Sequence, residues 1–218
     1  MSRRQLWELP VNYAAVGATQ SPEIVGFPPR GFRSYERRVR IGTGPARWDF
    51  AWHAALGWGI PIRSGLTVEL TETPREVREG SYTPVEFDAN GTPIAPAVTG
   101  EPVETVYGPD GLPLGTPGDS VWLAWQWGPL KLRFPVRVIF VIDEADRKGI
   151  ALGTLPGHPL TGEEAFFVDR EEDGSVWLTL RSLTGPAEGW WRAATPALAI
   201  AQRVLRGRYL KALSGPVD

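Results

Sequence analysis

The chain has 218 residues, with 23 Lys and Arg against 25 Asp and Glu and a formal net charge of −2. That length suits one large domain burying roughly 70% of its unfolded surface, and the near-neutral balance supplies no basic field to gather nucleic acid or an anionic membrane. The absence of cysteine excludes disulfides, thiolate nucleophiles and cysteine-ligated zinc or iron–sulfur centres. The opening MSRRQLWELPVNY lacks the apolar core of a secretory signal, and no later apolar run approaches the ~20 residues of a membrane span. A cytoplasmic protein without membrane insertion is therefore expected. Ten Trp should carry much of the core area, since each aromatic buries on the order of 150–250 Å².

A single domain over residues 1–218 is expected, beginning with an arm over residues 1–30 in which Pro10, Pro22, Pro28 and Pro29 interrupt any sustained period. Tyr35–Gly42 alternates Val39 and Ile41 with Arg38 and Arg40, the period of a half-buried strand. Gly44-Pro45 then starts a helix with Trp48, Trp52 and Ala55 on one stripe, which Gly57, Gly59 and Pro61 end. Leu66–Thr71 reads as the next strand. Residues 73–118, rich in Pro and Gly with short strands expected at Tyr82–Phe87 and Val103–Tyr107, read as a hairpin insertion, because a structureless loop of that length is unusual in a compact domain.

From Ser120 onward, SVWLAWQW, LKLRFPVRVIFVID, GIALGTL, EAFFVDRE and SVWLTLRSL form an antiparallel meander. Asp173-Gly174 supplies one tight reversal, and Arg147-Lys148-Gly149 is expected to supply another. In the second run Lys131, Arg133 and Arg137 face water while Leu132, Phe134, Val136 and Val138 face the core, with Pro135 forcing an edge or bulge. Thr195-Pro196 opens a final helix with Thr195 as N-cap. Leu198, Ala201, Leu205 and Tyr209 make its apolar stripe, and Arg203, Arg206 and Lys211 fall away from it. To Leu213 that helix would run roughly 27 Å.

The order of strand, helical segment, antiparallel strands and long closing helix is similar to the helix-grip fold of the START and pollen-allergen superfamily. The fold class expected is thus α+β, a curved antiparallel sheet gripping a C-terminal helix. The strings VNYAAVGAT at Val11–Thr19, RVRIGTG at Arg38–Gly44, VRVIFVIDE at Val136–Glu144, GTLPGHPLTGEEAFFV at Gly153–Val168 and the terminal RVLRGRYLKAL resemble a family of domain-of-unknown-function proteins of bacteria and plants. That resemblance implies a small cytosolic protein and brings no catalytic residues with it.

The loop LPGHPLTGEEAF groups His158 with Glu163 and Glu164, and an imidazole beside a carboxylate can move protons near neutral pH. His158 and Glu164 are the candidate acid–base pair. The structural alternative is a rigid turn on Pro156, Gly157, Pro159 and Gly162 in which His158 bonds backbone. Gly42-Thr43-Gly44 offers backbone N–H groups, yet the third glycine of a dinucleotide fingerprint falls on Arg47 and no phosphate-loop lysine follows, so a plain strand-to-helix turn is expected. Two arginine clusters, Arg33 to Arg40 and Arg203 to Lys211, fit an edge strand and a helix C-terminus. His53 and His158 are the only histidines and their spacing gives no metal site. No cofactor is expected, and no Gly-x-Ser-x-Gly elbow is present.

A sheet gripping a helix leaves room for a ligand, and Trp125, Trp127, Phe140, Leu205 and Tyr209 are expected to line it. Three functional readings stand: a binder of a small hydrophobic or amphipathic molecule, a lyase- or cyclase-type enzyme using His158 and Glu164, and a protein-interaction module. The partner expected is a small hydrophobic molecule, on a monomer or homodimer.

Overall fold

A computed structural model describes residues 5–74, 86–87, 93–94, 106–108, 111–128, 130–186 and 189–216. Among them, seven strands make one antiparallel sheet: β1 (Arg33–Thr43), β2 (Thr67–Leu70), β5 (Ser120–Trp127), β6 (Leu130–Asp143), β7 (Arg147–Thr154), β8 (Thr161–Arg170) and β9 (Ser175–Gly185). Their spatial order is β1-β9-β8-β7-β6-β5-β2, so the meander of the second half is closed at one edge by the first strand and at the other by the second. Helices α1 (Pro45–Leu56) and α2 (Gly59–Arg63) join those two edge strands, and α3 (Thr195–Tyr209) returns across the sheet. This is the helix-grip arrangement, α+β. A separate two-stranded piece pairs β3 (Glu86–Phe87) with β4 (Pro93–Ile94). Of the rest of the expected hairpin region, residues 75–85, 88–92, 95–105 and 109–110 lie outside the described residues, and an antiparallel bridge pairs Tyr107 with Pro113.

The boundaries follow from local chemistry. Gly44, at φ 86°, precedes α1 and Pro45 occupies its first turn, where a missing N–H costs nothing. Arg47, standing where a dinucleotide fingerprint would need glycine, donates to the carbonyls of Leu213 and Gly215. Gly57 ends α1, but Gly59 and Pro61 belong to α2 rather than to the terminator. Proline at the third residue of that short helix falls in the first turn, where no intrahelical N–H bond is lost. The reversal between β6 and β7 also differs from expectation: Glu144 to Asp146 make the turn, while Arg147, Lys148 and Gly149 already pair with β8. Gly149 needs no Cβ because Phe167 Cδ1 would stand 2.7 Å from one, so this glycine serves close packing instead of a turn. Finally, Ala194 rather than Thr195 is the N-cap of α3, and the Thr195 hydroxyl donates to Arg192 O at 2.7 Å.

The two faces of the sheet are covered differently. On the concave face α1 and α2 bring Trp48, Ala51, Ala55, Trp58 and Ile60 against Val136, Val138, Ile150, Phe166, Val168 and Leu180, with Tyr209 and Leu213 completing the cluster. On the opposite face a smaller cluster of Ile139, Phe140, Ala151, Ala165 and Phe167 lies under Val11 and Val16 of the arm. The arm is made of short 3-10 turns at Leu6–Glu8, Ala18–Gln20 and Pro22–Val25, pinned by polar contacts. Arg137 Nη2 donates to the carbonyls of Leu6 and Trp7, and Arg181 Nη1 to those of Thr19 and Gln20.

Candidate functional site

Under α3 the concave face is not filled. A cavity of about 180 Å³ lies there, walled by Leu123 and Trp125 of β5, Leu132, Phe134 and Val136 of β6, Leu152 of β7, and Leu198, Ala201, Leu205 and Tyr209 of α3. The helix spacing of three and four places those four residues on one stripe, and all but Tyr209 remain only partly buried because the space beneath them is open. The β7–β8 turn adds His158, Pro159 and Leu160 to the wall. That turn is fixed by Gly157 at φ 98° and by the His158 N–H bonded to Leu155 O at 3.0 Å. At Gly162 a Cβ would fall 1.9 Å from Leu183 O, so only glycine lets β8 approach β9 here.

The polar groups of the wall gather around Glu164. Strand alternation turns Glu164 toward the cavity and its neighbour Glu163 toward the arm. The Glu164 side chain is 25% exposed, its Oε1 stands 4.0 Å from Arg206 Nε, and it accepts no hydrogen bond among the described residues. Burial pushes it up to about 7, against a smaller opposing pull from Arg206. Arg206 comes off α3, stacks on the Tyr35 ring at 4.4 Å and donates through Nη2 to Ser182 Oγ at 2.7 Å and Thr184 Oγ1 at 3.2 Å. Gln202 Nε2 donates to the same Thr184 hydroxyl at 2.9 Å. The Tyr209 phenol is held well above its ordinary value by burial and by Glu164. His158 packs against the Phe134 ring with centroids 5.7 Å apart. Its Nδ1 lies 2.9 Å from Leu160 O and 3.0 Å from Leu160 N, and burial pulls it down to about 4, so it is neutral at physiological pH.

Among the described residues no group of three or more His, Asp or Glu side chains is placed to hold a metal ion, and no helix is long and apolar enough to cross a membrane.

The profile of the family described as Domain of unknown function (DUF1990) matches residues 12–107 and 102–212. The chain belongs to the DUF1990 family. It is 30% identical to a UPF0548 protein of Deinococcus radiodurans over 178 residues, which is 82% of this chain and 75% of that protein. It is 42% identical to a UPF0548 protein of Arabidopsis thaliana over 60 residues, 24% of this chain and 29% of that one. Among solved structures it is similar to Ara h 8.0201, with a TM-score of 0.42 and 13% identity over 85% of this chain and 100% of the other. Ginseng major latex-like protein 151 from Panax ginseng gives a TM-score of 0.44 and 12% identity over 85% and 99%.

In this DUF1990 chain the cavity brings together Trp125, Leu205, Tyr209, His158 and Glu164. His158 and Glu164 share the wall without a hydrogen bond between them. Trp127 ends β5 two residues after Trp125, and its side chain lies outside the described residues. Phe140 does not line the cavity. A bulge between Val138 and Phe140 puts Ile139 and Phe140 on the same side of β6, and both point to the arm. Arg206, expected to fall away from the apolar stripe, instead lines the cavity. Its position next to Leu205, three residues before Tyr209 and four after Gln202, was the available signal, since i, i+3 and i+4 share a helix face.

Proposed function

We propose that the protein holds a small apolar or amphipathic molecule between the sheet and α3. One observation carries this reading: a largely apolar cavity of about 180 Å³, with its few polar groups gathered at Glu164 and Arg206. Ligand sites are concave and mostly apolar, with a few convergent polar groups that fix orientation. An apolar cavity of about 150 Å³ in another protein stays dry and takes up benzene, so the size here is sufficient for a small organic ligand. The chain leaves this space open although it has long apolar side chains elsewhere on α3, with Ile200 and Val204 pointing to solvent.

The test is a titration of tryptophan fluorescence with fatty acids, sterols and flavonoids, comparing the natural chain with Ala201→Phe. A saturable response that the bulky side chain abolishes, with circular dichroism unchanged, is expected. Equal responses in both proteins would place any binding elsewhere, and none in either would remove the reading.

A second reading, an enzyme of lyase or cyclase type, draws on Glu164, whose carboxyl titrates near neutral pH inside the cavity, the condition for general acid–base work. It is less supported, because His158 is tied to Leu160 and makes no hydrogen bond to Glu164.

A further inference from the structure

The polar end of the cavity is incompletely paired, and the shortfall has a direction. Arg206 carries five N–H donors. Its Nη2 bonds Ser182 and Thr184, whereas Nε is buried without a partner and Nη1 donates to nothing among the described residues. Opposite it, Glu164 lies 4.0 Å from Nε, beyond hydrogen-bond reach. Buried polar groups are almost always paired, so each one left open calls for an explanation.

We propose that the cavity takes an apolar molecule ending in a carboxylate, which accepts from the free N–H groups of Arg206 and from Glu164 acting as a hydrogen-bond donor. This rests on the reading of the cavity as a ligand site. The charged and titratable groups around Glu164 are Arg206 and Tyr209 from α3, Tyr35 of β1 behind the guanidinium, and His158 from the β7–β8 turn. Glu163 and Arg181 face the arm instead. His158 is neutral and burial holds Tyr209 in its phenol form, so Arg206 is the one cation of this wall among the described residues. When Glu164 holds its proton, Arg206 has no counter-ion and the wall presents donors. An acceptor-only anion complements that set, and charge-assisted bonds of this kind are the strong ones. A hydroxyl would pair with the ionised form of Glu164, and an amine would face an unshielded guanidinium.

These head groups predict opposite linkage. A bound carboxylate favours protonated Glu164, so binding takes up a proton wherever the free protein has released it. With Glu164 titrating at about 7, one linked proton makes affinity about tenfold weaker at pH 8 than at pH 6. A hydroxyl ligand would bind more tightly at the higher pH.

The experiment is isothermal titration calorimetry of the full chain with 3-phenylpropanoate, 3-phenylpropan-1-ol and 3-phenylpropylamine, at pH 6 and pH 8, in two buffers of different ionisation enthalpy. The acid is expected to bind best, with proton uptake at pH 8. Glu164→Gln, which fixes a donor at that position, should bind the acid equally at both pH values. Arg206→Met should bring the acid down to the alcohol's affinity, and Arg206→Lys should keep the preference while reporting that the helix still folds in place. Alcohol or amine binding as tightly as acid, or acid affinity rising with pH, overturns the carboxylate head group and leaves the ligand cavity standing. Failure of all three probes to bind overturns both.

Discussion

Glu163 and Glu164 are neighbours on β8 that do opposite things because consecutive strand residues face opposite sides of a sheet. Glu163 is 3% exposed and saturated: Tyr13 Oη donates at 2.8 Å, Gly17 N at 2.8 Å, Thr19 N at 3.0 Å, and the Thr19 hydroxyl as well. Glu164 receives nothing, and its carboxyl rises from 4.5 to about 7. Between those values the native state holds a proton that the unfolded chain has released. Stability therefore falls as pH rises through that window, by about 3 kcal/mol in all. Glu164→Gln should recover most of this at pH 8 and none of it at pH 4.5, as read by urea denaturation at each pH. His158 has the opposite sign. It falls from 6.5 to about 4, so the unfolded chain binds the extra proton and stability is lost as pH drops through that range. His158→Asn should leave a protein that gains stability on acidification from pH 6.5 to pH 4.5; an unchanged acid slope would show that the ring is already solvated. The sequence grouped His158 with both glutamates, but adjacent carboxylates look alike until the strand's register assigns each a face.

At the scale of elements, the arm is held by the sheet's other face. The Glu163 carboxylate latches Tyr13, Gly17 and Thr19 in a segment otherwise made of single 3-10 turns. Glu163→Gln replaces an acceptor oxygen with a donor among donors, and leaving buried groups unpaired costs about 1–3 kcal/mol each. The expected outcome is a loss of about 3 kcal/mol together with rapid proteolysis within residues 11–25, while Tyr13→Phe loses about 1 kcal/mol. Cleavage no faster than in the natural chain would separate the arm from this latch. Strands of period two and a closing helix of period 3.6 were readable because one face of each is apolar. Less readable were the features that break a period. The bulge in β6 moved Phe140 to the arm side, and a half-buried arginine on α3 gives the same letter pattern as a solvated one.

At the scale of the molecule, the concave face is shared between two covers. Helices α1 and α2 fill one end with Trp48, Trp58 and Ile60, and α3 spans the other end over open space, reaching full burial only at Tyr209. An apolar strand face reads identically whether it meets side chains or lines a void, so the sequence pointed to a space under the helix without fixing its walls, and Phe140 belongs to the opposite face. A ligand held there binds the native state alone and should raise the melting temperature with concentration. The most direct measurement is a two-dimensional amide and indole NMR titration of the full chain with 3-phenylpropanoate. Saturable shifts at the Trp125 indole and at the backbone amides of Leu198, Ala201 and Leu205, lost in Ala201→Phe, are the expected result. Shifts confined to residues outside the cavity, or none at millimolar probe, would contradict a ligand site between the sheet and α3.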